Sequence, residues 1–206
     1  MLDMALTVCS DVSPADWIVT SELPWTQLVS FGPAGFADHA RVRFIPDPTR
    51  EGQRESDAEI DASPDEIDQW RALLQILAGE TSDPDDCYFG LWDGWPLPPA
   101  ARRWPTFDVA HPGHERPVRS YFLFHGSLAV DIQGMPADAG IWGPEFSSGG
   151  TPAFVWPSDH TWCITADIDP HWAAVGGSMP MIQRLLGDPR LDAVSADPAA
   201  KQPAYR

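Results

Sequence analysis

Ala153-Phe154-Val155-Trp156-Pro157-Ser158-Asp159-His160-Thr161-Trp162-Cys163-Ile164-Thr165-Ala166-Asp167 is the stretch that decides the fold class. Two runs rich in aromatic and β-branched residues, Ala153 to Trp156 and Trp162 to Asp167, flank five turn-favouring residues, Pro157 to Thr161. That arrangement predicts an antiparallel hairpin with a five-residue loop. Upstream, Val118 to Phe124 reads as another strand, and Cys87 to Trp92 is apolar on both faces, as a central, doubly covered strand should be. A brief strand is expected near Phe107, inside a stretch (94 to 117) whose six prolines otherwise forbid regular structure. Thr26 to Phe31 and Arg41 to Ile45 are further β-prone runs. In the second, Val42 and Phe44 alternate with Arg41 and Arg43, which suits a sheet with one wet face.

Three helices complete the pattern. Ser13-Pro14-Ala15-Asp16 reads as a capping serine, a proline at the first helical position and an acid in the first turn, so a helix is expected from Pro14 to about Glu22. Ser63-Pro64-Asp65-Glu66 forms a capping box, and Ile67, Trp70, Leu73, Leu74 and Leu77 then recur at helical spacing until Gly79. Ser178 caps a third helix from Met179 to Leu186, stopped by Gly187. No repeat or linker divides the chain. The expectation is one α+β domain over residues 1 to 194, a mainly antiparallel sheet with about three helices packed on one side, and a loosely ordered tail from 195 to 206. The stretch from Gly126 to Thr151 is read as irregular.

Composition bounds the function. Thirty acidic residues against thirteen basic ones give a net charge of -17, a field that repels phosphate backbones and anionic lipids and draws cationic partners. Nucleic acid is excluded as a natural ligand, and no apolar run reaches the roughly 18 residues a membrane span needs. Residues 1 to 10 carry no basic segment of the kind that opens an export leader. Three widely spaced cysteines, Cys9, Cys87 and Cys163, suit reduced thiols, so a cytoplasmic protein is expected. No Walker or dinucleotide glycine pattern is present, and Ser147-Ser148-Gly149-Gly150 is neither a nucleophile elbow nor a phosphate loop. No cofactor is expected.

Chemistry has few places to reside. Asp159, His160, Asp167, Asp169 and His171 form the densest polar cluster, and Asp167 and Asp169 share a face of an extended segment. With His171 they could serve a divalent metal or an acid/base hydrolase, although Pro170 turns the chain between them. His111 and His114 have a spacing some zinc sites use, without a flanking Cys pair or Glu. Cys163 could act as a nucleophile with His160 or His171, but its apolar strand favours a buried thiol.

The tryptophans say more. There are ten, against three tyrosines and a single lysine. Trp17, Trp70, Trp92, Trp156 and Trp162 fit helix or strand packing, whereas Trp25, Trp95, Trp104, Trp142 and Trp172 adjoin Pro or Gly in expected loops, with Trp92, Trp95 and Trp172 the trio most suited to border a cleft. From Glu51 to Asp68 the chain holds eight acids and one arginine, Glu55, Asp57, Glu59 and Asp61 among them, as an acidic loop would.

Arg43-Phe44-Ile45-Pro46-Asp47-Pro48, Asp85-Asp86-Cys87-Tyr88-Phe89, Leu91-Trp92-Asp93-Gly94 and Phe154-Val155-Trp156-Pro157-Ser158-Asp159 with Trp162-Cys163 resemble a group of acidic, Trp-rich soluble proteins of high-GC bacteria. The likeness runs from about Trp25 to Asp192 and carries no activity, cofactor or catalytic residue. In general character the chain is also similar to immunity proteins that neutralise bacterial toxins. The resulting expectation is a non-enzymatic binding module. Glu55, Asp57, Glu59 and Asp61 steer a basic protein partner, and exposed Trp92, Trp95 and Trp172 make the contact. The alternatives are the Asp/His hydrolase and a small-molecule binder with a Trp-lined cleft; the pattern sets no oligomeric state.

Overall fold

In the computed structural model residues 6–59, 64–95, 99–110, 119–131, 151–167 and 170–206 are described. They hold nine strands: β1 (Thr7–Val8), β2 (Asp38–Arg43), β3 (Cys87–Trp92), β4 (Thr106–Val109), β5 (Arg119–Gly126), β6 (Phe154–Pro157), β7 (Cys163–Thr165), β8 (Trp172–Gly177) and β9 (Ala193–Ser195). Four α-helices accompany them: α1 (Asp16–Val19), α2 (Trp25–Phe31), α3 (Glu66–Ala78) and α4 (Met179–Gly187). The strands form one sheet in the order β1-β5-β3-β6-β7-β8-β2-β9, with β4 beside β5. Every pairing among the described residues is antiparallel, so the architecture is α+β.

The expected hairpin is the β6–β7 pair, in register Phe154↔Thr165 and Val155↔Ile164. Because side chains alternate across a strand, its residues divide between two cores. Val155 and Ile164 join Trp70, Leu73, Trp162 and Ile182 in the core under α3 and α4. Phe154, Trp156 and Cys163 join Ile18, Leu28 and Val29 of α1 and α2 on the other face. Helices therefore cover both faces rather than one. The expected wet face of β2 is closed as well: Arg41 is only 4% exposed.

Local differences have local causes. Thr26 to Phe31, read as a strand from its β-branched and aromatic residues, lies within helix α2. Pro24 takes the N-cap position, Gly32 ends the helix at φ 77°, and Leu28, Val29 and Phe31 are buried, so tertiary packing overrides a weak intrinsic preference. The first helix shrinks to a 3-10 turn at Ser13–Ala15 followed by four α-helical residues. Ser13 does not cap it, since its hydroxyl donates to Asp11 instead (2.8 Å). In α3 the cap is Asp65, whose carboxylate accepts from the Ile67 and Asp68 amides. The helix thus starts two residues after the position expected from Ser63, which lies outside the described residues. α4 begins as read, with Ser178 Oγ accepting from the Met181 amide.

Two short strands, β1 and β4, share one margin of β5: Thr7 and Val8 face His125 and Phe124, while Thr106 to Val109 run along Phe122 to Arg119. The opposite margin of the sheet is β9, three residues long. Beyond it, the tail expected to be loose is hydrogen-bonded: the Ala196 amide to His39 O and the Arg206 amide to Gln53 O, each at 3.0 Å.

Candidate functional site

Antiparallel register brings one set of strand ends together. β3 ends at Trp92, β7 runs out into Asp167, and β8 begins at Trp172. Around these ends lies a cavity of about 210 Å³, lined by Trp92, Trp95 and Trp172 with Glu55, Glu66 and Asp167 at its polar margin. Trp92 and Trp95 meet edge to face, ring centroids 5.8 Å apart, the geometry an indole quadrupole favours. A second cavity of about 330 Å³ shares Glu55, Pro170, His171 and Trp172 with the first and is closed by residues 202–206. Glu55, Asp57 and Glu59 are exposed on the adjoining turn. Asp61 lies outside the described residues.

The three tryptophans are thus brought together, and Glu55 with them, but not as displayed rings. Trp172 is 4% exposed, and no described tryptophan falls in the exposed class; Trp142 is not among the described residues. The expectation of open-surface indoles is corrected accordingly. An indole has much apolar area to bury, and the sheet ends and helix faces take it up.

Behind Trp172 stands a polar network that the sequence reading missed. Arg41 and Arg43, alternating on β2, lie on the face shared with Trp172. The Arg41 guanidinium donates twice to Asp47, at 2.8 and 2.9 Å, and sits 5.3 Å from the centre of the Trp172 ring. Arg43 spans Asp47 (3.2 Å) and Asp192 (2.6 Å). His171 Nε2 is 3.1 Å from the other Asp47 contact oxygen, Oδ1. Burial alone would raise the Asp47 carboxyl, but hydrogen bonds from Arg41 and His171 and the arginine charges outweigh it and hold the pKa at about 2. Burial lowers the His171 pKa, with its bond to Asp47 opposing. The ionised Asp47 accepts from His171 Nε2. The signal available in the sequence was a pair of arginines at alternate positions of an apolar strand, which demands an acid nearby.

The Asp159–His171 cluster is divided by the sheet. Asp159 and His160 sit in the hairpin loop, at the opposite end of β7 from Asp167. Asp159 accepts from Thr161 and from Ser82 Oγ (3.0 Å). His160, at φ 55°, stacks on Trp17 with centroids 4.1 Å apart. Asp167 pairs with Arg119 at 3.3 Å, His171 belongs to Asp47, and Asp169 lies outside the described residues. Among the described residues no group of three or more His, Cys, Asp or Glu side chains could hold a metal. His111, His114 and Ser147 to Gly150 also lie outside them.

Cys163 is fully buried, and burial pushes its thiol up to about 12. Its sulfur lies 3.3 Å from its neighbour's carbonyl, Ile164 O, so it packs as a small apolar group. Cys87 is likewise buried, with its thiol pushed to about 12 by burial and by the acids around it. No described helix is long and apolar enough to cross a membrane.

The three histidines His39, His160 and His171 have pKa values lowered chiefly by burial. Each takes a proton more readily when the chain unfolds. Their contribution to stability is therefore intact above the ordinary histidine value and falls as pH drops through it. The Asp47 contribution is intact above the ordinary carboxylate value, and so across this range, and is lost only as pH falls from there towards 2. The urea midpoint is expected to be lower at pH 5.5 than at pH 7.5 with an unchanged slope; a midpoint that holds or rises contradicts this.

Comparison with known proteins finds no protein family, no curated protein and no solved structure that matches this chain.

Proposed function

We propose that the protein is a non-catalytic binding module that receives a cationic side chain of a basic protein partner in the cleft between Trp92, Trp95 and Trp172. The observation that carries this reading is that these tryptophans and Glu55 line one cavity. Size selects the ligand: about 210 Å³ falls short of the roughly 300–1,000 Å³ typical of sites for drug-sized molecules and suits one side chain. Charge selects its sign. The basic groups beside the cleft are already engaged, Arg41 by Asp47 and Arg119 by Asp167. Glu55 and Glu66 are in no ion pair among the described residues.

The indoles already tolerate guanidinium groups, since Arg119 lies 5.6 Å from the centre of the Trp92 ring. Excess acid on the surrounding surface speeds encounter with a basic partner and makes it salt-sensitive. No Ser, Cys or Lys is among the described residues lining either cavity. The Asp47–His171 pair therefore has no such nucleophile beside it to activate, and its role is to hold Trp172 and the strand ends in place.

The test is a titration at low salt with a capped peptide containing arginine, against the same peptide with citrulline in its place. Saturable quenching of tryptophan fluorescence by the arginine peptide alone is expected. Trp95→Ala should weaken binding about tenfold or more, and Glu55→Gln by a few-fold. Equal responses to the charged and neutral peptides would remove the proposal.

A further inference from the structure

Residues 196–206 cross the α2 face beside Trp172 in an unusual state: held in place, yet with no buried residue among them. Cavities flank this strap on both sides. One of about 330 Å³ lies between residues 202–206 and Trp172. Another, of about 540 Å³, lies between residues 198–202 and α2, again with Trp172 in its wall. Both are grooves open to solvent, so the strap lies on the surface between clefts rather than sunk into the core. The strap is tethered instead by a few polar contacts. The Tyr205 hydroxyl donates to Pro46 O, the Tyr205 ring meets His171 nearly edge-on at 4.8 Å, and the Arg206 amide donates to Gln53 O at 3.0 Å. Glu55 lines the same cavity as Tyr205 and Arg206.

These contacts are of the kind a foreign peptide makes: a backbone bond for affinity and an aromatic anchor against a ring, in a groove whose wall also holds the acid Glu55. We infer that the groove beneath Tyr205 and Arg206 is a peptide site, filled in cis by the chain's own strap and open in trans to an extended peptide carrying an aromatic residue followed by a basic one. The groove is distinct from the tryptophan cleft, although both share Glu55, His171 and Trp172. The inference rests on the binding-module reading but names a different ligand feature. A segment with few buried contacts opens locally at low free-energy cost. While closed, it competes at an effective concentration of about millimolar order. The strap therefore sets a threshold that an incoming segment must exceed.

The probe is a dye-labelled peptide, capped at both ends, with the sequence Gln-Pro-Ala-Tyr-Arg, followed by fluorescence polarisation with the full chain. Tyr205→Ala is expected to bind it about tenfold or more tighter than the unaltered protein does, because the internal competitor is weakened. Tyr205→Phe removes only the bond to Pro46 O and should show an intermediate gain, which covers the case in which Tyr205→Ala fails to fold. The same peptide with Ala for Tyr should lose the gain. No gain in either variant at an unchanged thermal midpoint overturns the inference, and so does an equal gain for the Ala-substituted peptide. The arginine-peptide titration of the tryptophan cleft uses neither variant, so the two readings fail separately.

Discussion

Asp47→Ala is expected to lower the free energy of unfolding by about 3–5 kcal/mol, the range seen when one partner of a buried ion pair is removed. The size of the effect comes from Arg41. Its side chain is only 5% exposed, its two terminal nitrogens are both bonded to Asp47, and it is enclosed against Trp172. Without the carboxylate a guanidinium remains away from water with no counter-charge. Arg43 suffers less, because Asp192 still engages it. Replacing both partners, as Arg41→Met with Asp47→Leu, should recover most of the loss, since two desolvated charges are then exchanged for apolar contact. Urea unfolding of the two proteins against the parent measures both numbers. A single-variant loss below about 1 kcal/mol would mean that the pair behaves as a solvent-screened surface bridge.

Trp162→Ala should cost a similar amount, about 3–5 kcal/mol, for a different reason. Trp162 is wholly buried, directly before β7, in the core that also holds Met181 and Ile182 of α4. Truncation removes the transfer free energy of an indole and leaves a void that the sheet cannot close. Trp162→Phe fills part of that volume and should cost clearly less. If the two variants unfold at the same urea concentration, the cavity contribution is absent. The two losses should be additive when Trp162→Ala is combined with Asp47→Ala, because the residues lie in separate clusters on opposite faces of the sheet.

How far the sequence could be read depended on whether each signal was local. The β6–β7 hairpin and helix α4 were legible because periodicity, turn residues and a cap coincide within a dozen or so positions. Strand β8 was not, although all six of its residues are buried. Ala173-Ala174-Val175-Gly176-Gly177 shows no apolar alternation, and its two glycines look like a loop. They are strand residues because β2 pairs with both, and they are glycines because Phe36 and Met181 fill the space where side chains would stand. That reason exists only in the assembled protein.

The same division runs through the site. Trp92, Trp95 and Trp172 could be singled out because Pro or Gly flanks place indoles at element ends. Asp47 could not, since it binds His171 from 124 positions away and follows a proline in an unremarkable loop. Asp159 and His160 looked adjacent to Asp167 in sequence, yet β7 carries them to the other end of the sheet. Tyr205 was passed over because polar, proline-containing tails are usually unattached.

The division of one long strand's margin between β1 and β4, matched across the sheet by the three residues of β9, restricts how this protein can aggregate. Among the described residues neither flank presents more than a few consecutive backbone donors and acceptors, so these margins offer a second copy only a short template for pairing. A partner of the kind proposed would then be met where strands terminate rather than along their length.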